Sequence, residues 1–280
     1  MEAVRLLQDA IRFQQALCDT TFGKELIQEA SPVLWYGRPG PDQWLTIGTN
    51  PSRGEFLHRD GTPRTGQHQK FYWRDTLSFE DYLGNEEALQ QTIERASVYF
   101  ESGRATTSWF GKPDGAKLEA LLNGMGRSFY DHPAAVIHVD FFKFATYEQM
   151  GKMKTGRDWM EHPTSIELLE RTITYIKPTR LIVLGRDNCR AFTGFSTTGR
   201  LSTYPAVTYE IGRHESGIPM IGLHMKPSEV FVGLGNGRDS NGLHYGSYAK
   251  REHLLKIGEA IDTIMDEWLA DGRVRCFPKS

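Results

Sequence analysis

The chain has 280 residues, 39% of them hydrophobic and 24% charged, with a formal net charge of −2. That composition fits one large globular domain or two small ones, and it argues against a protein coated in positive charge or built from low-complexity tracts. Cys18, Cys189 and Cys276 are odd in number and far apart, which excludes a disulfide framework and a four-cysteine metal or iron–sulfur site, and no apolar run is long enough to span a bilayer.

In chain order, Val4, Leu7, Ile11, Phe13 and Leu17 recur at helical spacing, so residues 2–18 predict an amphipathic helix. That segment carries acids and lacks the apolar core of a signal peptide, so a cytoplasmic location is expected. A short helix is expected around 23–30, and Val33 to Gly37 reads as a short edge strand. Trp44 to Gly48 is an apolar run that breaks at Thr49-Asn50-Pro51-Ser52, a strand ending in a tight turn. Pro51 fixes its own φ and holds Asn50 extended at the carboxyl end of that strand. In open α/β sheets ligands bind at this edge. A plain strand-to-loop turn is the alternative.

Residues 51–82 are rich in glycine, arginine and aromatics without periodicity. Loops this long are functional or disordered, and Phe71-Tyr72-Trp73 speaks against disorder. Arg53, His58, Arg59, Arg64, His68, Lys70 and Arg74 make a basic patch there, set against Glu55, Asp60 and Asp75. Helices are expected over 85–101 and 117–125, and a buried strand over 134–142, which includes His138 and Asp140. Thr164-Ser165-Ile166-Glu167 predicts a capping box opening a helix that stops at Lys177-Pro178. Arg180 to Gly185 is a third buried strand, Asp187 to Phe192 starts a helix, and Val207 to Ile211 suggests an edge strand. Pro219 to His224 is a further strand leading into a glycine-rich loop. The last helix, from Ser247 to about Ala270, presents Leu254, Ile257, Ile261, Ile264 and Trp268 to the core. Apolar strands separated by helices predict a single α/β domain over 1–280, with residues 1–32 and 247–280 as helical additions.

Three strand ends then carry polar residues: Asn50, Asp140 and the segment from His224 to Ser228. In that order Gly48-Thr49-Asn50-Pro51 and Lys226-Pro227-Ser228 resemble motifs A and B of the uracil-DNA glycosylase superfamily, in the branch with Asn in motif A. The resemblance spans roughly 44–232. It implies a three-layer α/β/α sandwich around a mostly parallel four-stranded sheet, and a monofunctional DNA glycosylase that flips a pyrimidine and leaves an abasic site. It implies DNA as partner, a monomer, and no metal or organic cofactor. By the same resemblance Asn50 positions the attacking water, and Gly48, Pro51, Ser52, Phe71 and Asp140 shape the base pocket. His224 or Lys226 stabilises the departing base, and Arg53, Ser228, Phe231, Leu234 and Arg238 contact DNA or fill the vacated stack. Phe56 is the alternative to Phe71 as the aromatic platform.

Two of these residues bear on the base. Ser52 stands where the uracil enzymes carry Tyr, which leaves room at carbon 5. Asp140 stands where they carry Asn, and an ionised carboxylate accepts the N4 amine of cytosine but opposes O4 of uracil. Together they point to a cytosine modified at carbon 5, such as the glucosylated hydroxymethylcytosine of phage DNA. An Asp140 that only caps the following turn is the alternative. Repair of uracil or oxidised pyrimidines, a catalytically inactive DNA-binding module, and hydrolysis of free nucleosides are the rival functions. Gly233 to Gly237 superficially matches a dinucleotide fingerprint but opens no helix after a strand.

Overall fold

The computed structural model describes residues 2–131, 135–226, 233–246 and 249–275. The chain is a mixed α/β protein whose helices alternate with a six-stranded sheet of order β2-β1-β3-β6-β5-β4. The strands are β1 (Trp44–Gly48), β2 (Ile137–Asp140), β3 (Arg180–Leu184), β4 (Phe195–Arg200), β5 (Thr208–Arg213) and β6 (Pro219–Leu223). The family resemblance implied four strands in the sheet. The two additional ones are the β4–β5 hairpin, which runs antiparallel on β6, whereas β3 and β6 pair in parallel; β5 falls on the segment expected as an edge strand at Val207 to Ile211, but β4 lies outside it and takes the edge. β4 reads Phe-Ser-Thr-Thr-Gly-Arg and is mostly exposed, so it has no apolar alternation to betray it.

The chain divides into two compact units. The first comprises Met1–Gln43, Ile47–Ala105 and Ile137–Pro178; the second comprises Trp44–Thr46, Thr106–Val136 and Thr179–Ser280.

In the first unit, α1 (Glu2–Cys18) buries Leu6, Leu7, Ala10, Ile11, Phe13, Gln14 and Leu17, the face its spacing predicted. It packs on α3 (Glu86–Ser97) and α6 (Pro163–Ile176), with α2 (Phe79–Gly84) alongside. The start of α6 differs from the expected capping box. His162 is the N-cap, its Nδ1 accepting from Thr164 N at 3.2 Å, and Pro163 opens the first turn. Proline fits there because the first-turn N–H groups lack helical partners anyway. Lys177, left-handed at φ 53°, and Pro178 stop the helix as predicted. Residues 23–30 hold only a 3-10 turn, Thr21–Lys24, and no α-helix. Val33 to Gly37 is no strand either. Tyr36 alone bridges to His138, through Tyr36 N to His138 O at 2.8 Å and His138 N to Tyr36 O at 3.1 Å.

In the second unit, α4 (Leu118–Gly124) crosses α8 (Arg251–Arg275) at close range. A Cβ on Gly124 would lie 2.1 Å from Leu255 O, and one on Gly258 would lie 2.1 Å from Leu121 O. α8 buries Leu254, Ile257, Ile261 and Met265. Ile264 and Trp268, placed on the core face by sequence, are half-buried, and Arg213 lies over the Trp268 ring at 5.2 Å. Arg127 and Arg180 both lie over Trp44, at 4.7 and 4.5 Å, and Arg180 also pairs with Asp262 and Asp266 of α8. Among the described residues no helix is long and apolar enough to cross a membrane.

Candidate functional site

All five residues of β1 are buried, so the strand is covered on both faces and delivers its carboxyl end as a fixed edge. Gly48 is required there by its neighbours. A Cβ at this position would sit 2.5 Å from Asp140 Oδ1 and 2.9 Å from His138 Nε2. Its lack of a side chain lets the end of β2 close against β1. Phe141 N then donates to Gly48 O at 3.1 Å and Phe142 N to Thr49 O at 2.9 Å.

Asn50 is half-buried just beyond that edge. Its amide nitrogen donates to Thr146 Oγ1 at 3.0 Å, Pro51 O at 3.1 Å and Phe144 O at 3.4 Å. The Thr146 hydroxyl spends its own proton on Glu148 O, so its oxygen must accept from Asn50. This fixes which way the amide points. The nitrogen faces three protein acceptors, and Oδ1 is the atom left to accept a hydrogen bond from a bound molecule. Pro51 beside it is buried, and Ser52 is exposed and small.

Asp140, only 4% exposed, is held by its own chain. Tyr36 OH donates to Oδ2 at 2.8 Å, and His138 Nε2 lies 3.4 Å from Oδ1. Burial first, then the charges of Asp140 and Glu55, push the Tyr36 phenol well above its ordinary range, so it serves as donor. The side chain does not cap the following turn. A carboxylate has about four lone-pair sites, so it retains capacity for a further donor. Beneath it Lys143, 1% exposed, donates to Asp140 O at 2.8 Å and Leu34 O at 3.3 Å. Desolvation brings its pKa down to about 7, against the pull of Asp140.

Phe71 is 2% exposed, with Tyr99 stacked on it at 5.1 Å, Tyr36 edge-on at 5.1 Å and Phe56 tilted against it at 5.6 Å. The platform position predicted for Phe71, or Phe56, is thus occupied by the chain's own rings, and both residues serve as local core. The reason is sequence-local. The 51–74 segment brings its aromatics inward to cover Tyr36 and Tyr99, and it buries Glu55 with them. Glu55 Oε2 accepts from Tyr99 OH at 2.9 Å and Lys70 Nζ at 3.1 Å.

In the second unit, His224 follows β6. Its Nδ1 lies 2.9 Å from Thr208 Oγ1 and its Nε2 2.9 Å from Glu210 Oε1. Both ring nitrogens are therefore engaged by two residues on one face of β5. Lys226 runs its stem over Gly185, where any Cβ would lie 2.1 Å from Lys226 Cε. Leu234 is 3% exposed, so its side chain packs inward and does not project as the expected wedge. Arg238 is exposed and donates to Gly242 O at 2.8 Å. Ser228 and Phe231 lie outside the described residues.

The fold thus gathers Gly48, Asn50, Pro51 and Asp140 at one strand edge of the first unit. Tyr36, His138, Lys143 and Thr146 support them, and the sequence alone assigned none of the four a role at the site. Tyr36 lies in a segment read only as a strand, and Thr146 sits in an irregular segment with no pattern to mark it. Thr208 and Glu210 were legible only as alternate residues of one strand. Among the described residues no group of three or more His, Cys, Asp or Glu side chains is placed to hold a metal ion. No family model matches the chain, and no curated protein is similar enough to count as a match.

Proposed function

We infer that the chain is a monofunctional DNA N-glycosylase of uracil-DNA glycosylase type, acting on a pyrimidine and leaving an abasic site. The observation that carries this reading is the fixed amide of Asn50, whose nitrogen is taken up by three protein acceptors and whose Oδ1 is left as an acceptor just beyond the carboxyl end of β1. Asn50 cannot take a proton as a general base, but Oδ1 can orient a water. The glycosidic C–N bond breaks with its electron pair going to the base. The water oxygen then bonds to the anomeric carbon and releases its proton to solvent. The departing base needs a donor at its O2. The motif resemblance assigns that donor to His224 or Lys226, and the His224 ring nitrogens already meet Thr208 and Glu210.

The substrate in this reading is a cytosine carrying a group at carbon 5. Asp140 accepts its N4 amine, and the exposed, small Ser52 leaves the room. Glucosylated hydroxymethylcytosine in phage DNA fits this chemistry, which makes defence against phage the proposed role. A second reading, a DNA-binding module without catalysis, draws on the burial of Phe71 and the engagement of His224. The test is a panel of DNAs holding uracil, a thymine mismatch, hydroxymethylcytosine or its glucosylated form, scored by alkali cleavage. Strand breaks at the modified cytosines are expected. Their absence on every substrate, with DNA binding retained, would establish the second reading instead.

A further inference from the structure

Seven basic or histidine side chains lie between Ser52 and Asp75, and the structure divides them. Lys70 is committed to Glu55 at 3.1 Å, with both side chains largely buried. Arg74 donates to the carbonyls of Gln28 and Leu77 and lies over the Phe79 ring at 4.0 Å. These two hold the fold together.

Arg53 and Arg64 differ. They flank one small hairpin, closed by the Leu57–Pro63 bridge, by His58 N to Thr62 O at 2.8 Å and by Arg64 N to Phe56 O at 2.8 Å. Arg64 Nε is tied to Gly54 O at 2.9 Å, which fixes its fork next to Arg53 in the chain. The Arg53 side chain runs along the hairpin until Nη2 lies 3.1 Å from where a Cβ on Gly61 would be. Arg53 is half-buried, and its Nε is buried without a hydrogen-bond partner. The nearest acid in the hairpin, Asp60, is turned onto Thr62 N at 3.0 Å and Thr62 Oγ1 at 2.7 Å. Among the described residues neither guanidinium has a carboxylate partner.

A partly desolvated guanidinium with an unmet donor is costly unless an anion completes it. Its planar fork matches two oxygens of a phosphate. We propose that Arg53 and Arg64 form a clamp for one phosphodiester of a nucleic-acid strand, on the hairpin that follows Asn50. The anion follows from the hairpin alone. Its being part of a polymer rests on the glycosylase reading.

The test is fluorescence anisotropy of labelled oligonucleotides with the full chain over a series of salt concentrations. Arg53→Met with Arg64→Met should weaken binding at least tenfold. It should also make the slope of log K against log salt shallower by about 0.9 on duplex, or about 0.7 on single strands, the loss of one phosphate contact. Arg5→Met with Arg12→Met, which removes an equal charge from α1, should change neither. An unchanged slope in a double variant folded by circular dichroism overturns the clamp. If the double variant does not fold, Arg53→Lys keeps the charge and loses the fork. The clamp then predicts weaker binding at the wild-type slope, and full affinity overturns it. Thermal shifts with inorganic phosphate, at matched ionic strength, separate the sources. Stabilisation by phosphate that needs both arginines, with no oligonucleotide bound, overturns the phosphodiester. A chain that binds DNA through this pair yet makes no abasic sites refutes the glycosylase reading and leaves the clamp standing.

Discussion

At the scale of single residues the site is specified by what cannot be exchanged. Asn50 and Asp differ by one atom type, yet only the amide can donate to Thr146, Pro51 and Phe144. An Asn50→Asp carboxylate would face three acceptors with no proton to offer. It should lower stability by about 1–3 kcal/mol, read as a fall in urea midpoint. In the proposed reading, substrate choice turns on Asp140. Asp140→Asn should move excision from cytosine-type towards uracil-type bases on the DNA panel, and an unmoved preference would remove it from the base-reading role. Lys143 carries a proton-linked signature. Its folded pKa is near 7 and its ordinary value 10.5, so between them the unfolded chain holds the proton and the folded chain does not. Stability on this account rises with pH through that window, by up to about 1.4 kcal/mol per pH unit. Denaturant midpoints of wild type and Lys143→Met between pH 7 and 9 should show that slope in the first and its loss in the second.

At the scale of elements, two close approaches set the geometry. Gly48 lets the ends of β1 and β2 meet, and Gly48→Ala should cost about 1–3 kcal/mol by forcing Asp140 and His138 aside. A thermal midpoint equal to wild type would show that the edge yields easily. The α4–α8 crossing depends in the same way on Gly124 and Gly258. Regular elements were the most legible part of the sequence. α1 and the buried strands β1, β3 and β6 were visible because apolar periodicity carries them. The exposed edge strand β4 was not, since it buries almost nothing. The segment at 33–37 has strand composition but forms a single β-bridge, to His138, with Val33 N and Gly37 N donating to Lys143 O and Ala96 O instead, and tertiary packing decides its form.

At the scale of the molecule, the sequence anticipated the mixed α/β architecture. It held no linker or composition shift, and the chain still separates into two compact units whose segments interleave along the sequence. Such a division depends on contacts between distant residues, to which local pattern is blind. The same limit applies to the site. Gly48, Asn50 and Asp140 could be found as polar punctuation at strand ends. Tyr36 and Thr146, which hold Asp140 and Asn50, come from segments whose local pattern assigns their side chains no role. The seven basic side chains after Ser52 formed one patch in sequence, and burial split them into structural and available charges.

The central claim is that Asn50 positions the water for base excision. It is tested by single-turnover excision of the preferred modified cytosine, wild type against Asn50→Ala, with affinity for the same DNA measured in parallel. The account predicts a loss in rate of about a hundredfold or more, with affinity within a few-fold of wild type. Full excision by Asn50→Ala would contradict it.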